Sequence, residues 1–146
     1  MSLLTASRTA QSPLVAEFSF GRDDTIVNTS GAIVDFGLTN TAATTAVIIP
    51  LPPGATVLSG FLNVTEAFDA ATYAVTIGDT TDPDRYLTTA DRKGVAKTPL
   101  VPTGYVGVGE NIVIVFTAAD ACVATGLAKV VVEYIVEGRA NEVQVA

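Results

Sequence analysis

The 146-residue chain has no histidine and no tryptophan, a single cysteine, a single methionine and only 16% charged residues. Each shortage removes a class of chemistry. Without His there is no Ser–His–Asp triad and no Cys–His pair. With Cys122 alone, neither an intramolecular disulfide nor a thiolate metal cluster can form. Set among the small residues of AADACVATG, Cys122 reads as a packing residue. Four Tyr and no Trp make a poor platform for stacking sugar rings. No GxGxxG or Walker pattern occurs, and VGVGEN at 106–111 does not supply one. There is no apolar run long enough for a spanning helix. The start, MSLLTASRTAQSP, lacks the basic residues and long apolar core of a secretory signal, so none is expected.

Charge is scarce as well as one-sided. About a quarter of the residues of a typical soluble domain are charged. Here the figure is 16%, against 49% hydrophobic residues and a mean hydropathy of +0.45. Such a chain either lies in a membrane or buries much of its surface against partners. With a spanning helix excluded, partner burial remains. The net charge of −7 and pI of about 4.3 disfavour nucleic acid, whose phosphates such a surface repels. Arg92, Lys93 and Lys97 form the one cationic cluster and read as a solvated loop.

What the chain does have is alternation. In GLAKVVVEYIVEG (126–138), Ala128, Val130, Val132, Tyr134 and Val136 fall on one face and Lys129, Glu133 and Glu137 on the other, the period of a half-buried strand. In NIVIVFTAA (111–119), Ile112, Ile114, Phe116 and Ala118 share a face, and Val113 and Val115 make the other face apolar too, as in a strand covered on both sides. Residues 120–125 are short and polar enough to join the two as a hairpin, which the pattern places at the centre of an all-β core.

The remaining segments follow the same logic. LVAEFSF (14–20) and AIVDFGL (32–38) read as strands, and 26–30 as a short edge strand at most. Ala46 to Leu51 is an apolar strand closed by Pro50, Pro52 and Pro53, so it ends there or lies at an edge. Residues 56–68 form a longer strand, with Leu58, Leu62, Val64 and Phe68 on one face and Ser59, Asn63 and Thr65 on the other. TYAVTIG (72–78) points Tyr73, Val75 and Ile77 inward. Residues 79–94 are the longest polar segment, and Pro and Gly keep any strand in 100–108 short. Tyr86 and Tyr105 are expected at the surface. The sum is one all-β domain over 1–146: a jelly-roll-like sandwich of about eight antiparallel strands, with 1–13 as an N-terminal arm. That arm reads either as a disordered end or as a segment docking on a neighbouring subunit. An immunoglobulin-like sandwich or a small closed barrel are the alternatives, although the paired Cys around a core Trp is absent.

Two features invite chemistry. Asp79, Asp82 and Asp84 crowd one loop, as in a calcium site. Counted from Asp79, however, position six is Asp84 rather than Gly and position twelve is Ala90 rather than Glu, so an EF-hand fails, and a turn capped by Asp side chains is the plainer reading. Arg85 follows directly and is placed to pair with one of these carboxylates. Glu66, Glu133 and Glu137 lie on expected strands, but nothing in their spacing sets them across a cleft. No enzyme, catalytic residue, metal or cofactor is expected.

The second feature is a surface without charge. From Phe36 to Thr65 there is no charged residue. A sheet face of Ser, Thr and Asn packs against a partner at lower desolvation cost than one of Lys and Glu.

The segments IGDTTDPDRYL (77–87), TPLVPTGYVGVGENIVIVF (98–116) and VVVEYIVEGRANE (130–142) resemble small structural proteins of tailed phages, in particular the capsid cement, or decoration, proteins. The resemblance spans roughly residues 45–142. It implies a virion protein, made in the host cytoplasm, on the outside of an icosahedral head. It further implies that the protein clamps neighbouring major capsid subunits in many copies, with itself as a second partner in a homo-oligomer, and without cofactor, nucleic acid or membrane. The interface residues expected on that reading are Leu3 and Leu4 in the arm, Ile48, Ile49 and Leu51 at the proline edge, and Tyr86 and Tyr105 in the loops, with ordinary core as the alternative, and the preferred, reading of Ile48 and Ile49. A tail, receptor-binding or carbohydrate-binding β-sandwich module is the alternative.

Overall fold

The computed structural model describes residues 12–39 and 41–137. Leu3 and Leu4 lie outside them. Among the described residues ten strands follow in chain order: β1 (Leu14–Gly21), β2 (Thr25–Val27), β3 (Ile33–Asp35), β4 (Thr41–Ile49), β5 (Ala55–Glu66), β6 (Tyr73–Asp79), β7 (Leu87–Asp91), β8 (Ala96–Pro99), β9 (Ile112–Ala118) and β10 (Leu127–Val136). Eight of them build two four-stranded sheets, ordered β1-β10-β5-β8 and β4-β9-β6-β7, and β2 and β3 form a hairpin of their own.

The pairing is nested. β1 pairs with β10, β4 with β9, β5 with β8 and β6 with β7, all antiparallel. The ladder is that of one long ribbon folded back on itself. The ribbon then rolls up, so that β10 also pairs with β5 and β9 with β6. This double pairing is the jelly-roll connectivity, and it accounts for eight sheet strands among ten.

Alternation decides what lies between the sheets. Phe20, Val57, Leu62, Val64, Ala128, Val130 and Val132 from one sheet face Ala46, Tyr73, Val75, Ile77, Ile112, Ile114 and Phe116 from the other, all buried. Aromatic rings run through the centre: Phe20 and Phe36 stack at 4.6 Å, Phe36 and Phe116 at 4.7 Å, and Phe68 and Tyr73 at 3.9 Å. The Tyr73 hydroxyl donates to the Phe36 carbonyl, which satisfies both polar atoms inside this core.

Four expectations need correction. β9 and β10 do not form a hairpin; each is an interior strand of a different sheet. Residues 119–126 instead cross the end of the sandwich, held by Ala119 N to Thr72 O, Cys122 N to Gly37 O and Ala124 N to Asp69 Oδ2. Cys122 is buried in this crossing beside Gly37. Second, Leu58 points out, 38% exposed, while Val57 is buried, because the β10–β5 register shifts between Glu133 and Tyr134. A bulge reverses the alternation on either side of it. Third, the polar segment 79–94 contains β7, hidden in the sequence by LTTAD having one large apolar residue. Fourth, Tyr86 is 4% exposed rather than at the surface. By contrast, β4 is an edge strand that stops before Pro50, and Val113 is buried on the far face of β9.

Candidate functional site

Rolling the ribbon gathers three connections at one end of the sandwich: 50–54 between β4 and β5, 80–86 between β6 and β7, and 100–111 between β8 and β9. Their backbones are tied down. Gly54 N donates to Gly107 O at 2.7 Å, Gly107 N to Ala55 O at 2.9 Å, and Val101 N to Tyr86 O at 2.9 Å.

Asp79, at the end of β6, organises the middle connection. Its Oδ1 accepts from Thr81 N, Thr81 Oγ1 and Asp82 N at 3.0, 2.7 and 2.8 Å, and its Oδ2 accepts from Arg85 Nε at 2.5 Å. Burial by itself would raise its pKa, but the hydrogen bonds from Thr81 and Arg85 prevail and hold the carboxyl below its ordinary range. Both oxygens are thus engaged by this turn and by Arg85. Gly78 makes the turn possible. A Cβ there would stand 2.1 Å from Asp82 O and 2.4 Å from Pro83 C.

Arg85 carries the network outward. Its guanidinium lies 3.8 Å from the centre of the Tyr105 ring. The Tyr105 hydroxyl donates to Glu110 Oε1 at 2.6 Å, and Glu110 Oε2 accepts from Val108 N at 2.7 Å. The bond to Glu110 raises the Tyr105 pKa and lowers that of Glu110. Burial pushes the Tyr86 hydroxyl up to about 12, so it stays neutral.

The structure therefore brings Leu51, Tyr86 and Tyr105 together around a hollow of about 10 Å³, with Asp79 and Glu110 in its wall. That is about one water's worth of space, so the end is a filled, braced platform and not a small-molecule pocket. Ile48 and Ile49 lie in the core, at 8% and 4% exposure, on their alternative reading. Sequence reasoning missed the outer rim. Val101, Val106 and Val108 are 65%, 42% and 79% exposed on the 100–111 connection, and Pro52 and Pro53 are exposed beside them. Val108 combines large exposure with a hydrogen-bonded backbone, since its N–H is held by Glu110. The signal was the valine spacing in YVGVG, masked by the glycines that break strand periodicity.

A second, shallower hollow of about 470 Å³ lies on the outer face of the β1-β10-β5-β8 sheet. It is lined by Val15, Phe61, Val131 and Pro99, with Lys97 and Glu133 as its charged members.

Three solved structures share this fold over nearly its whole length. A chain in the capsid asymmetric unit of cyanophage Pam1 aligns with 91% of this chain and 92% of its own at a TM-score of 0.57 and 19% identity. A chain in the acid-stable capsid of the Helicobacter pylori bacteriophage KHP30 aligns with 86% and 89% at 0.53 and 18% identity. A chain in the capsid of Ralstonia phage GP4 aligns with 96% and 93% at 0.53 and 12% identity. The likeness is one of fold. No protein-family model matches the sequence, and neither does any curated protein.

The aromatic surface bears on the carbohydrate alternative. Tyr86 is buried, Tyr105 has one ring face under Arg85, and the Phe61 ring has Lys97 Nζ 4.2 Å from its centre. Tyr105 and Phe61 are thus each covered by a cation, which leaves those two rings little open face for a sugar.

Proposed function

We propose that this chain is a structural protein of a tailed-phage head, a cement protein that binds the outside of the capsid and bridges neighbouring major capsid subunits. Within that class it resembles the cement protein of a Bordetella phage. The observation that carries the reading is a jelly roll matched end to end, at 91% and 92% coverage, by a chain from a phage capsid. The braced loop end supports it. Leu51, Pro52, Pro53, Tyr105, Val106 and Val108 form an uncharged, partly apolar rim on a backbone ordered before any partner arrives, so little conformational freedom is lost on docking. We assign the capsid contact to this rim, with Leu3 and Leu4 of the arm as a further contact. The role is passive. Each contact is weak, and many symmetric copies add.

The deciding experiment is copy number. Quantified by mass spectrometry against the major capsid protein in purified virions, the chain is expected at a simple lattice fraction of one per capsid subunit. A few copies per particle would place it in the tail or receptor-binding apparatus, and complete absence would end the virion reading. Leu51→Asp, Tyr105→Asp and Val108→Asp are each expected to weaken binding to heads stripped of the protein, and excess free sugars are expected to leave binding unchanged. Heads that retain the three variants as tightly as the wild type would refute the assigned surface.

A further inference from the structure

Sheet edges carry unpaired backbone groups, and folded proteins blunt them with bulges, prolines or short strands. Three of the four sheet edges here are blunted. β8 has four residues and ends in Pro99. β7 meets β6 with a register shift, and β4 meets β9 with two, while its Thr45 carbonyl already accepts from Thr29 N. β1 is different. It pairs with β10 without interruption over eight residues and contains no proline.

The phase of that ladder shows which groups are left over. Arg22 N donates to Gly126 O, continuing the register in which even-numbered residues of β1 bond to β10. The odd-numbered ones point away. Gly21 is already satisfied, its N–H donating to Asp24 Oδ2 and its carbonyl accepting from Asp24 N. Among the described residues, nothing pairs with the N–H and C=O groups of Val15, Glu17 and Ser19 on this edge.

We propose that this edge is a self-association surface: β1 of a second copy adds antiparallel to it across a two-fold axis, joining two four-stranded sheets into one of eight. Two observations select a second copy as the occupant. The only ionisable side chain of β1, Glu17, is paired with Lys129 at 2.9 Å, so the edge carries no net charge where two copies of an acidic protein meet, and only a register that sets the two carboxylates directly opposite each other brings like charges together. The strand is also complementary to itself in one register. With Phe18 opposite Phe18, Glu17 faces Ser19 in each direction, and four backbone hydrogen bonds form from groups now unpaired. Shifting by one residue on each strand sets Glu17 opposite Glu17. Phe18 is half-buried, in ring contact with Phe20 and Phe36 at 6.0 Å, and a second Phe18 would cover its open side. The added strand lies next to Val15, which is 60% exposed on the rim of the 470 Å³ hollow.

The proposal is independent of the virion reading and is tested on the purified full chain. Sedimentation over a concentration series is expected to show a monomer–dimer equilibrium. Ser19→Pro removes one outward N–H and none of the bonds to β10, so it is expected to remain folded by circular dichroism and to sediment as a monomer throughout. Under oxidising conditions Phe18→Cys is expected to give a covalent dimer and Glu17→Cys none, since Phe18 meets its own copy in the narrow pair where Cα atoms approach to about 4.5 Å. Cys122 is fully buried and stays silent. Should the loss of the Phe18 ring unfold the cysteine variant, the Ser19→Pro comparison decides alone. A wild type that is monomeric at its highest soluble concentration, a Ser19→Pro variant that still dimerises, or cross-linking at 17 in place of 18 would overturn the pairing.

Discussion

Asp79 shows how one buried carboxylate can set the shape of a surface. It is 2% exposed and receives three hydrogen bonds from its own turn and one from Arg85, which in turn braces Tyr105. Its folded pKa lies below the ordinary 3.8, so the stability it contributes is complete above about that pH and is lost as pH falls through the lower, folded value. Acid titration of unfolding free energy is expected to show this loss in the wild type and a flatter profile in Asp79→Asn. At neutral pH, Asp79→Asn takes away the buried charge partner of Arg85 and leaves it only the exposed Asp82 at 3.8 Å, so the substitution is expected to cost about 3 kcal/mol in chemical denaturation. Gly78→Ala tests the same turn from the other side. Its Cβ would meet backbone rather than a yielding side chain, so a loss of about 1–3 kcal/mol is expected, together with weaker head binding through the displaced loop.

At the scale of elements, the bulge in β5 is the sharpest point at which simple alternation misleads. Period two read straight along the strand puts Leu58 inside; the register shift puts Val57 there. Thermal unfolding of two variants separates the readings. Val57→Ser is expected to cost about 2–3 kcal/mol, by cavity and by burial of a hydroxyl, and Leu58→Ser no more than about 0.5 kcal/mol. Equal effects would remove the bulge. The β9–β10 connection makes a similar point. Its length and polarity suited a hairpin, but nearest-neighbour patterning carries no information about which sheet a strand joins. In the fold the two strands lie in different sheets, and Ile112, Ile114 and Phe116 of β9 and Ala128, Val130 and Val132 of β10 are buried in the shared core.

For the molecule as a whole, the proposed role predicts a mass-action effect. Added to heads lacking it, the chain is expected to raise their thermal stability with concentration, by about 2.7 kcal/mol per site once free chain reaches a hundredfold excess over its dissociation constant. Calorimetry of heads over a concentration series measures this. Because the assigned rim of Leu51, Val106 and Val108 is uncharged, affinity is expected to change little with added salt, despite the net charge of −7. A steep salt dependence would move the contact to the acidic surfaces.

Much of this protein is legible in one dimension. Period-two segments predicted β1, β5, β6, β9 and β10, the prolines predicted that β4 stops at an edge, and the absence of His and Trp removed whole classes of chemistry. These follow from local rules: side-chain alternation, missing backbone donors, missing functional groups. β7 escaped because LTTAD offers one bulky apolar residue, and its place is set by pairing with β6 instead. The candidate site was legible only in part. Leu51 and Tyr105 were singled out as separate residues more than fifty positions apart, and Val108 went unseen because a single exposed valine between glycines has no periodic signature. Tertiary structure alone decided that 50–54, 80–86 and 100–111 converge, that Tyr86 turns inward while Tyr105 lies beneath Arg85, and that the outer edge of β1 is unpaired among the described residues. The reason is that such features arise from pairings between distant segments, whose stability depends on the whole rolled ribbon closing over a shared core.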